Sequence, residues 1–185
     1  MIRAAKQIVI DEAHWRMGRL LKLRLPWLAA GLLVGMAGSL LMAKFEKLLT
    51  QNISLAFFVP IIVYMSDAVG TQTETIFVRD LSGKRIHFVK YLTKEIILGG
   101  YMGLVLGTGI GLLAWWWLGQ FKVALTVGVA MAINVTVAPV VALVVAEVFF
   151  KRQSDPAVGA GPFTTVIQDI FSLFIYLITA VAIMW

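Results

Sequence analysis

Apolar and polar residues alternate along this chain in five long apolar blocks, at about residues 25–43, 54–78, 96–118, 123–150 and 162–185, set between short charged connectors. Each block is long enough to cross a hydrocarbon core of about 30 Å, which takes roughly 20 helical residues. The pattern therefore predicts an all-α, polytopic membrane protein with five transmembrane helices. Residues 120–123 leave no room for a loop domain between the third and fourth blocks, so these two helices are expected to form an antiparallel hairpin.

Composition agrees with the pattern. The chain has 185 residues, of which 60% are hydrophobic and 14% charged, and its mean hydropathy is +0.89. An ordinary soluble domain is about half apolar and about a quarter charged, so readings as a water-soluble enzyme fall away. There is no cysteine, which removes disulfides and thiolate metal sites.

The net charge of +6 invites a nucleic-acid reading, but its distribution argues for topology instead. Six Lys or Arg lie before the first block, five between the second and third, and two between the fourth and fifth. Only Lys44, Lys47 and Lys122 fall on the other side. The basic side is cytoplasmic by the positive-inside rule, which puts the N-terminus inside and the C-terminus outside. No interleaving of aromatic and basic residues marks a nucleic-acid surface.

Residues 1–24 mix Arg3, Lys6, Arg16, Arg19, Lys22 and Arg24 with Ile8, Ile10, Trp15, Leu20 and Leu21, the composition of a helix lying along the cytoplasmic headgroups. His14 falls within it. Because sustained apolarity begins only near Leu25, no cleaved signal peptide is expected. Residues 25–185 are expected to form the membrane domain. In its third span Gly99, Gly103, Gly107 and Gly111 recur every fourth residue and share one helix face, a smooth strip for close packing; Gly31, Gly35 and Gly38 offer the same in the first span. Trp115, Trp116 and Trp117 read as headgroup-level anchors.

Polar residues inside the blocks carry the candidate chemistry, because a carboxylate near the bilayer centre costs about 3 kcal/mol unless water, a partner or an ion compensates it. Asp67 and Asp169 stand out. Asp169 shares a helical stripe with Thr165, Ser172, Tyr176 and Thr179, which should face a cavity or another helix. Tyr64, Asp67, Thr71 and Thr75 make a comparable line in the second span, where Pro60 and Gly70 are expected to loosen the helix and free carbonyl oxygens. Hard oxygen ligands of this kind suit Mg2+, which keeps most of its waters and takes one or two carboxylates. Glu74 and Glu147 are expected near cytoplasmic helix ends, solvated or salt-bridged, Asn134 as a packing hydrogen bonder, and His87 in solvent.

Three ordered motifs resemble the membrane domain of the MgtE-type magnesium channels. They are Arg24-Leu25-Pro26-Trp27 opening the first span, Val59-Pro60 followed by Gly70-Thr71-Gln72 and Arg79, and Asp155-Pro156 with Pro162-Phe163, Thr165 and Asp169. The resemblance implies a homodimer of five-helix subunits in the cell membrane, with the ion pathway between subunits and hydrated Mg2+ held by Asp169. It implies support from the Thr165 carbonyl, a narrow site near Asp67, and a pore lined by Gly70, Thr71, Gln72, Thr75 and Ser172. Where the family commonly has Gly-Gly-Asn, this chain has Ser66-Asp67-Ala68. The added carboxylate is expected to raise cation affinity or move preference toward Mn2+, Co2+ or Zn2+. The family's cytosolic regulatory modules have no counterpart in the roughly 25 residues before the first span, so the expectation is either gating through the N-terminal helix or a separate regulatory subunit, or a sequence that is part of a longer chain.

Two other readings fit the same residues: a proton-coupled divalent-cation exchanger relaying protons on Asp67 and Asp169, and a non-transporting membrane scaffold or subunit in which both carboxylates are structural. No His-Glu-x-x-His or serine-elbow motif lies within the spans, so no enzyme is expected. Because the chain has no cysteine, topology can be tested on single-cysteine variants. Cysteines at His87 and Lys151 should escape a membrane-impermeant maleimide on intact cells, while one at Gln120 reacts; the opposite pattern would invert the orientation.

Overall fold

The computed structural model describes residues 16–83, 86–151 and 156–185, and every element among them is a helix. In chain order these are α1 (Met17–Lys44), α2 (Glu46–Gln51), α3 (Ile53–Ala56), α4 (Val59–Gly83), α5 (Phe88–Leu118), α6 (Phe121–Lys151) and α7 (Pro156–Met184). Among the described residues five stretches are long and apolar enough to span a membrane: Met17–Lys44, Ile53–Leu81, Phe88–Leu118, Phe121–Lys151 and Phe163–Met184. They match the five predicted blocks. Residues 17–24 are the first turns of α1, and residues 1–15, with His14 and much of the expected surface helix, lie outside the described residues.

The helices are longer than the apolar blocks because charged turns cap them. Helix α5 takes in Lys90, Lys94 and Glu95 before its apolar stretch, and its 31 residues reach about 46 Å at 1.5 Å per residue. It stops at Gly119, whose φ of 66° is left-handed and whose N–H bonds the Trp115 carbonyl at 2.8 Å. Glycine adopts that conformation without a Cβ clash. Helix α6 then starts at Phe121, giving the predicted hairpin.

Helix α6 is the hub, packed against α4, α5 and α7. Its Val127, Ala130, Val135, Ala142 and Leu143 are wholly buried or nearly so. The α5 glycine strip makes this packing possible. A Cβ on Gly103 would come within 2.9 Å of Thr136 Oγ1 and one on Gly107 within 3.0 Å of Ala132 Cβ, and each would also crowd a backbone carbonyl of α6. Gly128 on α6 answers with the same closeness, a Cβ there lying 2.9 Å from the Gly107 carbonyl oxygen. The Thr136 hydroxyl donates to the Ala132 carbonyl of its own helix at 2.7 Å and lies 3.4 Å from the Gly99 carbonyl across the seam.

Helix α1 stands at the edge and packs mainly on α7. Leu28, Leu32, Leu33, Met36 and Leu40 turn outward. Its glycines meet α7 side chains: Gly31 approaches Val166 and Gly38 approaches Leu173. At one end Trp27, Phe149 and Phe163 form an aromatic trio with ring centroids 5.8–6.5 Å apart, joining α1, α6 and α7. Trp115, Trp116 and Trp117 are all exposed, as headgroup anchors should be.

The hairpin seam generates a stability contrast. Gly103→Val forces a branched side chain against the α6 backbone and should cost about 1–3 kcal/mol, the usual range for overpacking. Gly109→Val, where a Cβ meets nothing within 4 Å, should be nearly neutral. Thermal or denaturant unfolding in detergent reads the difference; equal effects would contradict the seam.

Candidate ion site between α1, α4 and α7

The site begins with a break in the second span. Helix α3 ends at Ala56 and α4 begins at Val59, so Pro60 occupies the first turn of α4, where its missing N–H would have no intrahelical partner anyway. The sequence expectation of loosened backbone around Gly70 is therefore corrected: α4 runs unbroken from Val59 to Gly83. The interruption lies upstream, where the Tyr176 hydroxyl donates to the Leu55 carbonyl at 2.6 Å.

Further along the span, Ser66 and Gly70 of α4 face Gln168 of α7. The Gln168 side chain is 1% exposed, and its Nε2 donates to the Ser66 carbonyl at 3.1 Å and the Ala138 carbonyl at 3.4 Å. One turn beyond Gly70, Glu74 lies beside Thr164 of α7. Glu74 is buried at 9% exposure, not solvated at a helix end, which corrects the expectation for it. Glu147, half-buried near the end of α6, pairs with the exposed Lys151 Nζ at 3.0 Å; His87 is exposed. Asn134 is the expected packing group, donating to the Ala130 carbonyl at 3.0 Å and the Ser172 carbonyl at 3.4 Å.

Between α1, α4 and α7 lies a cavity of about 530 Å³ that takes in Asp67, Asp169 and Thr165, with Gly35, Ser39 and Tyr64 among its walls. None of the described residues that line it is basic. Asp67 of α4 and Asp169 of α7 both line it, and Asp67 Oδ1 is buried with no hydrogen-bond partner among the described residues. Register explains the opening. Helix α1 touches α7 at Val166 and Leu173, on either side of Asp169, while a Cβ on Gly35, midway between those contacts, would meet nothing within 4 Å.

Six waters at about 30 Å³ each occupy roughly 180 Å³, so the cavity is wide enough for an octahedrally hydrated dication. Among the described residues no three His, Asp or Glu side chains converge as a closed metal cage. Two carboxylates in a roomy space favour an ion that keeps most of its waters over one stripped bare.

The structure brings Asp67, Asp169 and Thr165 together. Thr71, Gln72 and Thr75 lie outside this cavity, exposed on the outer face of α4, with the Thr75 hydroxyl donating to the Thr71 carbonyl at 2.8 Å. Gly70 is buried against Gln168, and Ser172 is 1% exposed with its hydroxyl unpartnered among the described residues. The stripe read on the last span is thus divided by its neighbours: Thr165 and Asp169 face the cavity, whereas Ser172, Tyr176 and Thr179 are covered.

Sequence reasoning missed Thr164, Gln168 and Glu95. Thr164 and Gln168 are four apart and continue to Ser172, a spacing that marks one face. Glu95, 9% exposed, is held between α4 and α5 and accepts a hydrogen bond from Thr73 Oγ1 at 3.2 Å. In the sequence it stands among the charges of a connector that proves helical.

Five apolar spans, three of which enclose a cavity lined by two carboxylates, define a polytopic membrane protein. The family model described as MgtE, divalent cation transporter, matches residues 59–179, and the chain belongs to that family. It is similar to the magnesium transporter MgtE of Enterococcus faecalis, 31% identical over 156 residues covering 83% of this chain and 34% of the relative. The magnesium transporter MgtE of Bacillus subtilis is 28% identical over 156 residues, 83% of this chain and 35% of the relative. The magnesium transporter MgtE of Thermus thermophilus is 28% identical over 161 residues, 85% of this chain and 35% of the relative. The chain spans about a third of the length of these relatives.

Proposed function

We propose that this chain moves a hydrated divalent cation, Mg2+ foremost, across the cell membrane, with Asp169 as the central ion-binding carboxylate and Asp67 and Thr165 beside it. One observation carries the reading: two intramembrane carboxylates from different helices line one cavity without a basic partner among its described walls. Like charges held together resist joint ionisation, and a dication between them removes that cost. Relatives whose names state magnesium transport support the choice of Mg2+; the carboxylate pair also suits Mn2+, Co2+ or Zn2+.

The working unit in this reading is a homodimer with the ion path between subunits. Its support is the outer face of α4, where Thr71, Gln72 and Thr75 are exposed in the isolated chain. Polar side chains at membrane depth favour a water-filled path or a protein partner over lipid. Inward movement of a dication gains about 2.3 kcal/mol per charge per 100 mV, enough to drive flux without a coupled reaction.

Flux into proteoliposomes at a clamped potential tests this. Asp169→Asn should lower Mg2+ flux by about tenfold or more, in line with about 1.4 kcal/mol or more of lost ion stabilisation. Asp67→Asn should change the Mg2+ to Mn2+ preference. A folded native protein that carries no divalent cation would sink the proposal in favour of a scaffold role. Flux that requires a pH gradient would replace it with proton-coupled exchange.

A further inference from the structure

Gln168 does not line the cavity, yet it is among the most buried polar side chains of the chain, at 1% exposure. Two carbonyl oxygens, those of Ser66 and Ala138, converge on one end of its amide. That convergence fixes the end as the NH2 group, since an amide oxygen there would face two acceptors. The amide lies against Gly70, where any Cβ would overlap its Nε2, Oε1 and Cδ atoms. Gly70 is therefore the place on α4 where a side chain from α7 can reach the backbone.

Its position in the chain matters as much as its contacts. Gln168 immediately precedes Asp169, and its acceptor Ser66 immediately precedes Asp67. Adjacent helical residues differ by about 1.5 Å in height and a fixed rotation, so a clamp between residues 66 and 168 sets how far apart, and at what angle, the next two side chains face the cavity. The bond to Ala138 refers both to α6, the most enclosed of the spans. No basic group among the described walls of the cavity could do this instead.

We infer that Gln168 is a positioning residue that sets the spacing of Asp67 and Asp169 and, through it, which hydrated cation the pair selects. The inference rests on the transport reading above. A spacing fixed by a rigid amide bridge discriminates between ions of different size and hydration, whereas a slack pair adjusts to any of them. A merely structural cross-link would lower stability without touching ion preference.

The test uses the full chain in proteoliposomes, comparing native protein with Gln168→Met, which keeps the bulk and removes both donors, with Asp67→Asn, and with the double variant. Mg2+ and Mn2+ fluxes are titrated, and the thermal midpoint is read in parallel. Gln168→Met should raise the half-saturating Mg2+ concentration by about tenfold, the low end of what losing an orienting partner costs a metal site, and shift the Mg2+ to Mn2+ flux ratio. In the Asp67→Asn background the same change should leave the ratio almost unmoved, because no carboxylate pair remains to be spaced. Gly70→Ala, which keeps the amide but displaces it, should shift the ratio in the same direction and serves if Gln168→Met does not fold. A lower midpoint with unchanged half-saturation and ratio in both Gln168→Met and Gly70→Ala would overturn the inference alone. Absence of divalent flux in the native chain would overturn the transport reading and the inference with it.

Discussion

Placing two carboxylates at membrane depth is the constraint around which the rest of this architecture is arranged. Each costs about 3 kcal/mol if left to lipid, and together they repel. Asp67 and Asp169 face a common space wide enough for water, and the surrounding helices keep that space open. Helix α1 meets α7 through Gly31 and Gly38 yet stands clear at Gly35, so the wall opposite Asp169 is held at a distance by contacts on either side of it. A helix pressed evenly along α7 would have closed the cavity and left the carboxylates dry.

An open cavity needs a rigid frame, and the α5–α6 hairpin provides it. Backbone packed directly on backbone along Gly99, Gly103, Gly107 and Gly128 maximises van der Waals contact where water cannot drive association. Helix α6 is thereby anchored on one side and free to present Asn134 and the Ala138 carbonyl to α7 on the other. Polar bonds then fix the rotation of α7: Gln168 to two helices, Asn134 to Ser172, and Tyr176 to Leu55. Gln168, which anchors that helix, and Asp169, which faces the cavity, are consecutive residues, so any shift in the anchor moves the carboxylate with it.

Much of this could be read from the residues. Block lengths predicted five spans, the short 120–123 connector predicted the hairpin, the glycine spacing predicted a close-packed strip without naming its partner, and the cost of intramembrane charge singled out Asp67 and Asp169. What periodicity does not carry is the identity of the neighbour at each level. Thr165, Asp169, Ser172 and Tyr176 do share a helical stripe, but the first two meet the cavity while the latter two are covered, because α1 stands away from α7 only around Asp169. Pro60 misleads for a related reason: its effect depends on whether it falls inside a helix or at its first turn, and the break at Phe57 and Phe58 has no proline of its own. Gln168 is silent in the sequence because an uncharged amide beside an aspartate carries no signal until Gly70 and the carbonyl oxygens are placed around it.

Equilibrium binding tests most directly the proposed joint binding of a divalent cation by Asp67 and Asp169. Mg2+ should raise the thermal midpoint of the detergent-solubilised native protein in a saturable way, as a ligand of the folded state must, and Na+ at matched ionic strength should not. In the Asp67→Asn/Asp169→Asn variant that rise should vanish. A Mg2+-dependent rise of the same size in the doubly substituted protein would place the ion elsewhere and contradict the account.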